Sequence, residues 1–155
     1  DLPWPCSNED YARIMTGFIA DVVAQGIRHM AFGDLFLEDV RAYREKQLAG
    51  TGIEPLFPLW GSNTRELAPQ MVAAGLKARI SALDPNKLDA SLGGHDFDEA
   101  LLAALPEGVD PCGENGEFHT LAYDGPMFSR PLGIRVGETV LRDGFVFTDL
   151  LPIED

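Results

Sequence analysis

Helix-period and strand-period stretches alternate through the first half of this chain, and that alternation favours short buried strands lying parallel in one sheet. Ser7 is placed to cap a helix, with Asp10 three positions on, and Tyr11, Ile14, Met15, Phe18, Ile19, Val22 and Val23 then recur at helical spacing up to Gly26. Residues 27–32 form a largely apolar run with the length of a buried strand. Gly33 and Asp34 interrupt it. Residues 36–49 resume a helical pattern dense in exposed charge, closed by Gly50 and Gly52, and 54–59 make a second short strand. Asn63, with Glu66 three positions on, caps a further helix over 64–74. The pattern predicts an α/β fold with a doubly wound parallel sheet.

Beyond Gly75 the character changes. A strand is expected over 76–83, a short helix starting at Asp84-Pro85, a helix over 97–104, and strands over 118–123, 132–141 and 145–150, the last two joined by an Arg142-Asp143-Gly144 turn. A boundary near Gly61 therefore divides a parallel α/β part, 1–61, from a smaller α+β part, 62–155.

Composition narrows the function classes. A net charge of −13 opposes a sequence-independent grip on nucleic acid, which depends on basic groups displacing counterions. No apolar run reaches membrane-spanning length. Cys6 and Cys112 stand far apart with no metal-ligand spacing, which points to a reducing compartment and a cytoplasmic location rather than a disulfide framework. The opening Asp1-Leu2-Pro3-Trp4-Pro5 has neither the charged nor the apolar region of a leader, and no initiator Met. Neither a Walker-type nor a dinucleotide-binding glycine string occurs.

The densest constellation of chemically useful residues is Gly113-Glu114-Asn115-Gly116-Glu117-Phe118-His119-Thr120. Its glycines free the backbone to approach a ligand, and Glu114 and Glu117 can position an amine or bind a cation. If a strand starts at Glu117, Glu117 and His119 share one face. The same residues also suit a solvated turn leading into an edge strand. A second candidate is Gly33-Asp34, at the carboxyl end of an expected parallel strand, where open α/β sheets bind ligands. Asp34 can instead cap the following helix. Glu38, Arg41, Arg44 and Glu45 have the spacing of an ion-pair ladder or of a phosphate-facing arginine. Trp60, at a strand end, suits either purine stacking or the core.

The string from Gly113 to Thr120, followed by Asp124-Gly125-Pro126-Met127-Phe128, resembles the C-terminal signature of the diphthine–ammonia ligase family in its bacterial ATP-binding branch. Phe32-Gly33-Asp34 with Arg41 and Glu45, then Pro58-Leu59-Trp60, Ala74-Gly75-Leu76 and Leu92-Gly93, resemble its other landmarks in order. The resemblance implies a Rossmann-like domain of the adenine nucleotide alpha hydrolase type, incomplete at its N-terminus and lacking the family's PP-loop, joined to a smaller α+β domain. It further implies an ATP-dependent ligase that adenylates a carboxylate for attack by ammonia, using ATP and Mg2+. The acceptor is a small-molecule or protein carboxylate.

Carried over by position, the resemblance makes Glu114, Glu117 and His119 the catalytic set, with Gly113, Asn115, Gly116, Thr120 and Trp60 around the substrate, and Gly33, Asp34 and Glu38 near the nucleotide. Trp60 would line a pocket between the domains, and the Asp34 and Glu117 regions are expected to share a cleft. The alternative is a non-catalytic nucleotide- or metabolite-binding module that keeps only the recognition half. Phe118-His119 stand where other branches read Tyr-Glu, so the acceptor can differ from theirs. A chain that starts mid-sheet exposes a strand edge, from which packing on another copy or on a preceding segment is expected.

Overall fold

The computed structural model describes residues 6–153; the Asp1 to Pro5 stretch, read above for a leader, lies outside them. The chain forms two compact units, Asp1–Gly61 and Ser62–Asp155. The first contains α1 (Asn8–Ala24), β1 (His29–Ala31), α2 (Glu38–Leu48) and β2 (Glu54–Leu56). Ser7 caps α1 as its spacing suggests, its Oγ accepting from the Asp10 N–H at 3.0 Å. β1 and β2 pair in parallel, His29 to Glu54 through Ala31 to Leu56. Each pairs over three residues only, through Glu54 N–H to the Arg28 carbonyl and Phe32 N–H to the Leu56 carbonyl, because the chain beyond Phe57 turns, Trp60 N–H bonding back to the Phe57 carbonyl. Ile19, Val22, Leu48 and Ile53 form this unit's core.

The second unit contains α3 (Thr64–Ala73), β3 (Lys77–Leu83), a 3-10 turn (Ala90–Leu92), α4 (Glu99–Ala104), β4 (Phe118–Asp124), β5 (Ile134–Arg142) and β6 (Phe145–Pro152). Its sheet is antiparallel, in the order β4-β3-β6-β5. Asn63 caps α3 through its side-chain oxygen and the Arg65 N–H. Asp143 and Gly144 both take positive φ, as the tight turn of a two-residue hairpin requires, and set the β5–β6 register from Arg142 and Phe145 as far as Thr139 and Thr148, beyond which the pairing shifts before Val136 meets Leu150. Ala68, Ile80, Leu83, Leu101, Phe118 and Val146 belong to one buried cluster fed by both helices and three strands.

The chain is thus a mixed α/β protein with one small parallel and one antiparallel sheet. One element differs from expectation: no helix begins at Asp84-Pro85. The Asp84 carboxylate does cap one turn, accepting from the Asn86 N–H and side-chain amide, both at 2.9 Å, with the Lys87 and Leu88 N–H groups bonded to the Asp84 carbonyl, but Asp89 is extended and caps the 3-10 turn that follows, so no helix propagates. The helix expected over 97–104 starts later, at Glu99, with Asp98 as its cap.

The segment carrying His95 and Asp96 is fastened to β3. Arg79 bonds Asp96 through Nε at 2.7 Å and Nη2 at 3.3 Å, and the Tyr123 hydroxyl donates to the same carboxylate at 3.0 Å. The Arg79 guanidinium, with help from Tyr123, holds the Asp96 carboxyl below its ordinary value. A depressed folded-state pKa contributes stability above the unfolded value, about 3.9, and loses it as pH falls through the folded one. Asp96→Asn is therefore expected to give a shallower loss of stability below about pH 4 than wild type, read by urea unfolding across pH. Superimposable acid limbs would contradict it.

Candidate functional site

The carboxyl ends of β1 and β2 carry an aromatic and cationic cluster in the first unit. The Phe32 and Phe57 rings stack at 5.6 Å, and Trp60 meets Phe57 edge-on at 6.1 Å. The Arg41 guanidinium lies 4.7 Å from both the Phe57 and Trp60 rings while its Nε bonds Glu45 at 2.8 Å. Arg44 sits 4.6 Å from the Phe32 ring and grips Asp34 with two bonds, 2.6 and 3.2 Å. Asp34 is therefore not the cap of α2, which is Leu37, and its carboxylate is committed to a fork geometry that suits guanidinium. Of the spaced charges on α2, Arg41 and Glu45 pair within the helix, whereas Arg44 reaches back to Asp34. Trp60 is half-buried under Arg41, Gly33 lies in the loop between β1 and α2, and Glu38 is the first residue of α2.

The second site is built in the loop before β4. Glu117 is the most deeply buried ionisable residue among those described, 2% exposed. Its Oε1 accepts from the Asp110 N–H at 3.2 Å and from the Asn115 side-chain amide at 3.1 Å. Its Oε2, equally buried, has no hydrogen-bond partner among the described residues. Leaving a buried acceptor unmatched costs about 1–3 kcal/mol, so this oxygen is the local feature that a donor-bearing ligand would relieve.

The surrounding loop is tightly specified. Gly113 and Gly116 take φ of +70 and +76°, and a Cβ on Gly113 would stand 2.8 Å from the Phe118 carbonyl oxygen. Gly113→Ala is expected to lose more than about 1 kcal/mol of stability in urea unfolding, since both backbone conformation and space exclude the methyl; an unchanged midpoint would contradict this. Lys87 Nζ reaches the Asn115 carbonyl at 3.5 Å. Burial, with the Asp110 and Glu114 carboxylates nearby, pushes the Cys112 thiol up to about 11. The thiol is thus protonated at neutral pH and a poor nucleophile.

The shared face expected for Glu117 and His119 does not follow, because the strand begins at Phe118, after Glu117. Glu117 is buried, whereas His119 and Thr120 are exposed on β4. Glu114 lies half-buried in the loop, its N–H 3.4 Å from an Asp110 oxygen. The structure therefore gathers Glu117, Asn115 and Gly113 and leaves His119 and Thr120 on the strand surface.

Asp110 was missed in the sequence. Its Oδ1 accepts from the Cys112 and Glu114 N–H groups at 2.8 and 3.4 Å, and its Oδ2 from the Thr64 hydroxyl at 2.6 Å. An Asp followed by Pro and two further small residues is a side-chain-closed turn pattern that could have flagged it.

A family model described as the diphthamide synthase C-terminal domain matches residues 63–149, the span holding this loop and its sheet. The chain belongs to the diphthamide synthase family. Among curated diphthamide synthase relatives, each named diphthine–ammonia ligase, the rat protein (Rattus norvegicus) is 29% identical over 128 residues, covering 78% of this chain and 47% of its own. The zebrafish protein (Danio rerio) is 32% identical over 126 residues, covering 76% and 48%, and the human one 32% over 103 residues, covering 61% and 38%. The chain thus spans about half the length of the rat and zebrafish relatives it matches.

No group of three or more His, Cys, Asp or Glu side chains among the described residues is arranged to hold a metal ion. Asp34, the carboxylate expected near the nucleotide, is committed to Arg44. No helix among the described residues is long and apolar enough to cross a membrane.

Proposed function

We propose that this chain carries the acceptor-side region of an ATP-dependent amide-forming ligase. In the reaction a carboxylate oxygen of the acceptor attacks the α-phosphorus of ATP and pyrophosphate leaves. Ammonia nitrogen then attacks the acyl carbon, the bond to AMP breaks, and an amide is released. The incoming nitrogen must shed a proton when it arrives as ammonium and another after attack. Glu117 is assigned to receive the first of these protons, and the second passes to solvent as AMP departs.

The observation that carries this reading is the buried Glu117 carboxylate, one oxygen clamped and the other unmatched, within the family-matched span. Ammonium is small and presents N–H donors in every direction. A clamped carboxylate offers an acceptor already aimed, which lowers the cost of ordering the nucleophile. Gly113, Asn115 and Gly116 shape the loop around it, and Glu114, His119 and Thr120 are assigned to the acceptor's approach. Gly33, Asp34 and Glu38 are assigned to the nucleotide side, where α2 arginines over the aromatic rings that follow the parallel strands support the reading, and Trp60 to the substrate. The finer fold, an adenine nucleotide alpha hydrolase-like first domain, and a cytoplasmic location belong to the same proposal.

The test is to incubate the protein expressed from its complete reading frame with ATP, magnesium and ammonium, against diphthine and a panel of small carboxylic acids. The reading expects AMP and pyrophosphate to form in step with an amide from at least one acid. Nucleotide turnover that ignores both acid and ammonium, or that gives ADP and phosphate, would refute it.

A further inference from the structure

The orientation of Glu117 rests on two donors of unequal quality. Asn115 lies on an exposed loop, whereas the Asp110 N–H belongs to a backbone fixed on every side. Val109 before it is sunk in the core, and Pro111 after it restricts Asp110 to extended conformations. Both carboxylate oxygens of Asp110 are occupied, one closing the turn onto Cys112 and Glu114, the other taking the Thr64 hydroxyl at 2.6 Å. Turn closure needs only the first of these. The second ties the turn to the first residue of α3, a rigid element, so that the Asp110 N–H keeps facing Glu117.

We infer that Asp110, held by Thr64, is a positioning residue for Glu117, fixing which carboxylate oxygen is clamped and which is left for the amine. The inference rests on the ligase reading above. Thr64→Val keeps shape and removes only the hydroxyl; Thr64→Ser restores the hydroxyl alone.

In the protein from the complete reading frame, Thr64→Val is expected to lower kcat/KM for ammonia about tenfold, with ATP–pyrophosphate exchange within about twofold of wild type, and Thr64→Ser to recover most of the loss. The amide proton of Asp110, followed by 1H–15N NMR without substrates, should shift in Thr64→Val and return in Thr64→Ser. An unmoved Asp110 signal overturns the inference, as does a parallel fall in exchange and ammonia use or unchanged ammonia kinetics. Should wild type make no amide from any acid, the ligase reading fails, and the Asp110 signal still decides whether Thr64 sets the geometry at Glu117.

Discussion

Replacing Glu117 by glutamine is expected to slow amide formation by about 10²- to 10⁴-fold, the usual worth of a positioned acid–base group, while leaving the fold near wild type. Glutamine keeps an oxygen for the Asp110 N–H and the Asn115 amide, so the clamp survives. What changes is the other position, where an acceptor becomes a donor and can no longer take an N–H from the amine. Steady-state amide production at saturating ATP checks this, with ATP–pyrophosphate exchange retained as the sign that activation of the acid is intact. Unchanged turnover would leave Glu117 as a structural clamp of the loop with no part in the chemistry. Glu117→Leu separates the roles differently, because it strips the Asp110 N–H of its acceptor and adds a destabilisation of about 1–3 kcal/mol.

The largest effect on stability is expected at Leu83. It is fully buried and pairs across the sheet with both Phe118 and Val146, at the crossing of three strands. Truncation to alanine removes packing from both neighbours and leaves a cavity that a backbone fixed on two sides cannot close. Leu83→Ala should therefore cost about 2–5 kcal/mol in urea unfolding, whereas Leu132→Ala, at an exposed position, should stay within about 0.5 kcal/mol. Similar costs at the two positions would contradict the placement of the core. Because the Asp84 N–H bonds the Glu117 carbonyl, damage at Leu83 should also be felt at the site.

How much of this was legible depended on whether the deciding interaction was local. The caps at Ser7 and Asn63 and the Asp143-Gly144 turn bond within a few residues, and their chemistry reads directly from the chain. Asp84-Pro85 has the residues of a helix start and makes one capped turn, but Asp89 five positions on caps a separate 3-10 turn and stops it. The density of polar groups from Gly113 to Thr120 was visible. Its division into a buried Glu117 and an exposed His119 was not, because it depends on where pairing with β3 begins. Asp34 finds Arg44 ten residues away, and Asp110 finds Thr64 across the unit's fold, separations for which helical or strand periodicity gives no rule.

Receipt of the amine by the unclamped oxygen of Glu117 can be read without turnover. With carbon-13 in the glutamate side chains, the Glu117 carboxyl signal is followed as ammonium chloride is added, against tetramethylammonium chloride, which matches the charge but has no N–H to donate. A saturable shift at Glu117 with ammonium alone is the result predicted. A signal that ignores ammonium, or that follows both salts equally, would contradict that role for Glu117.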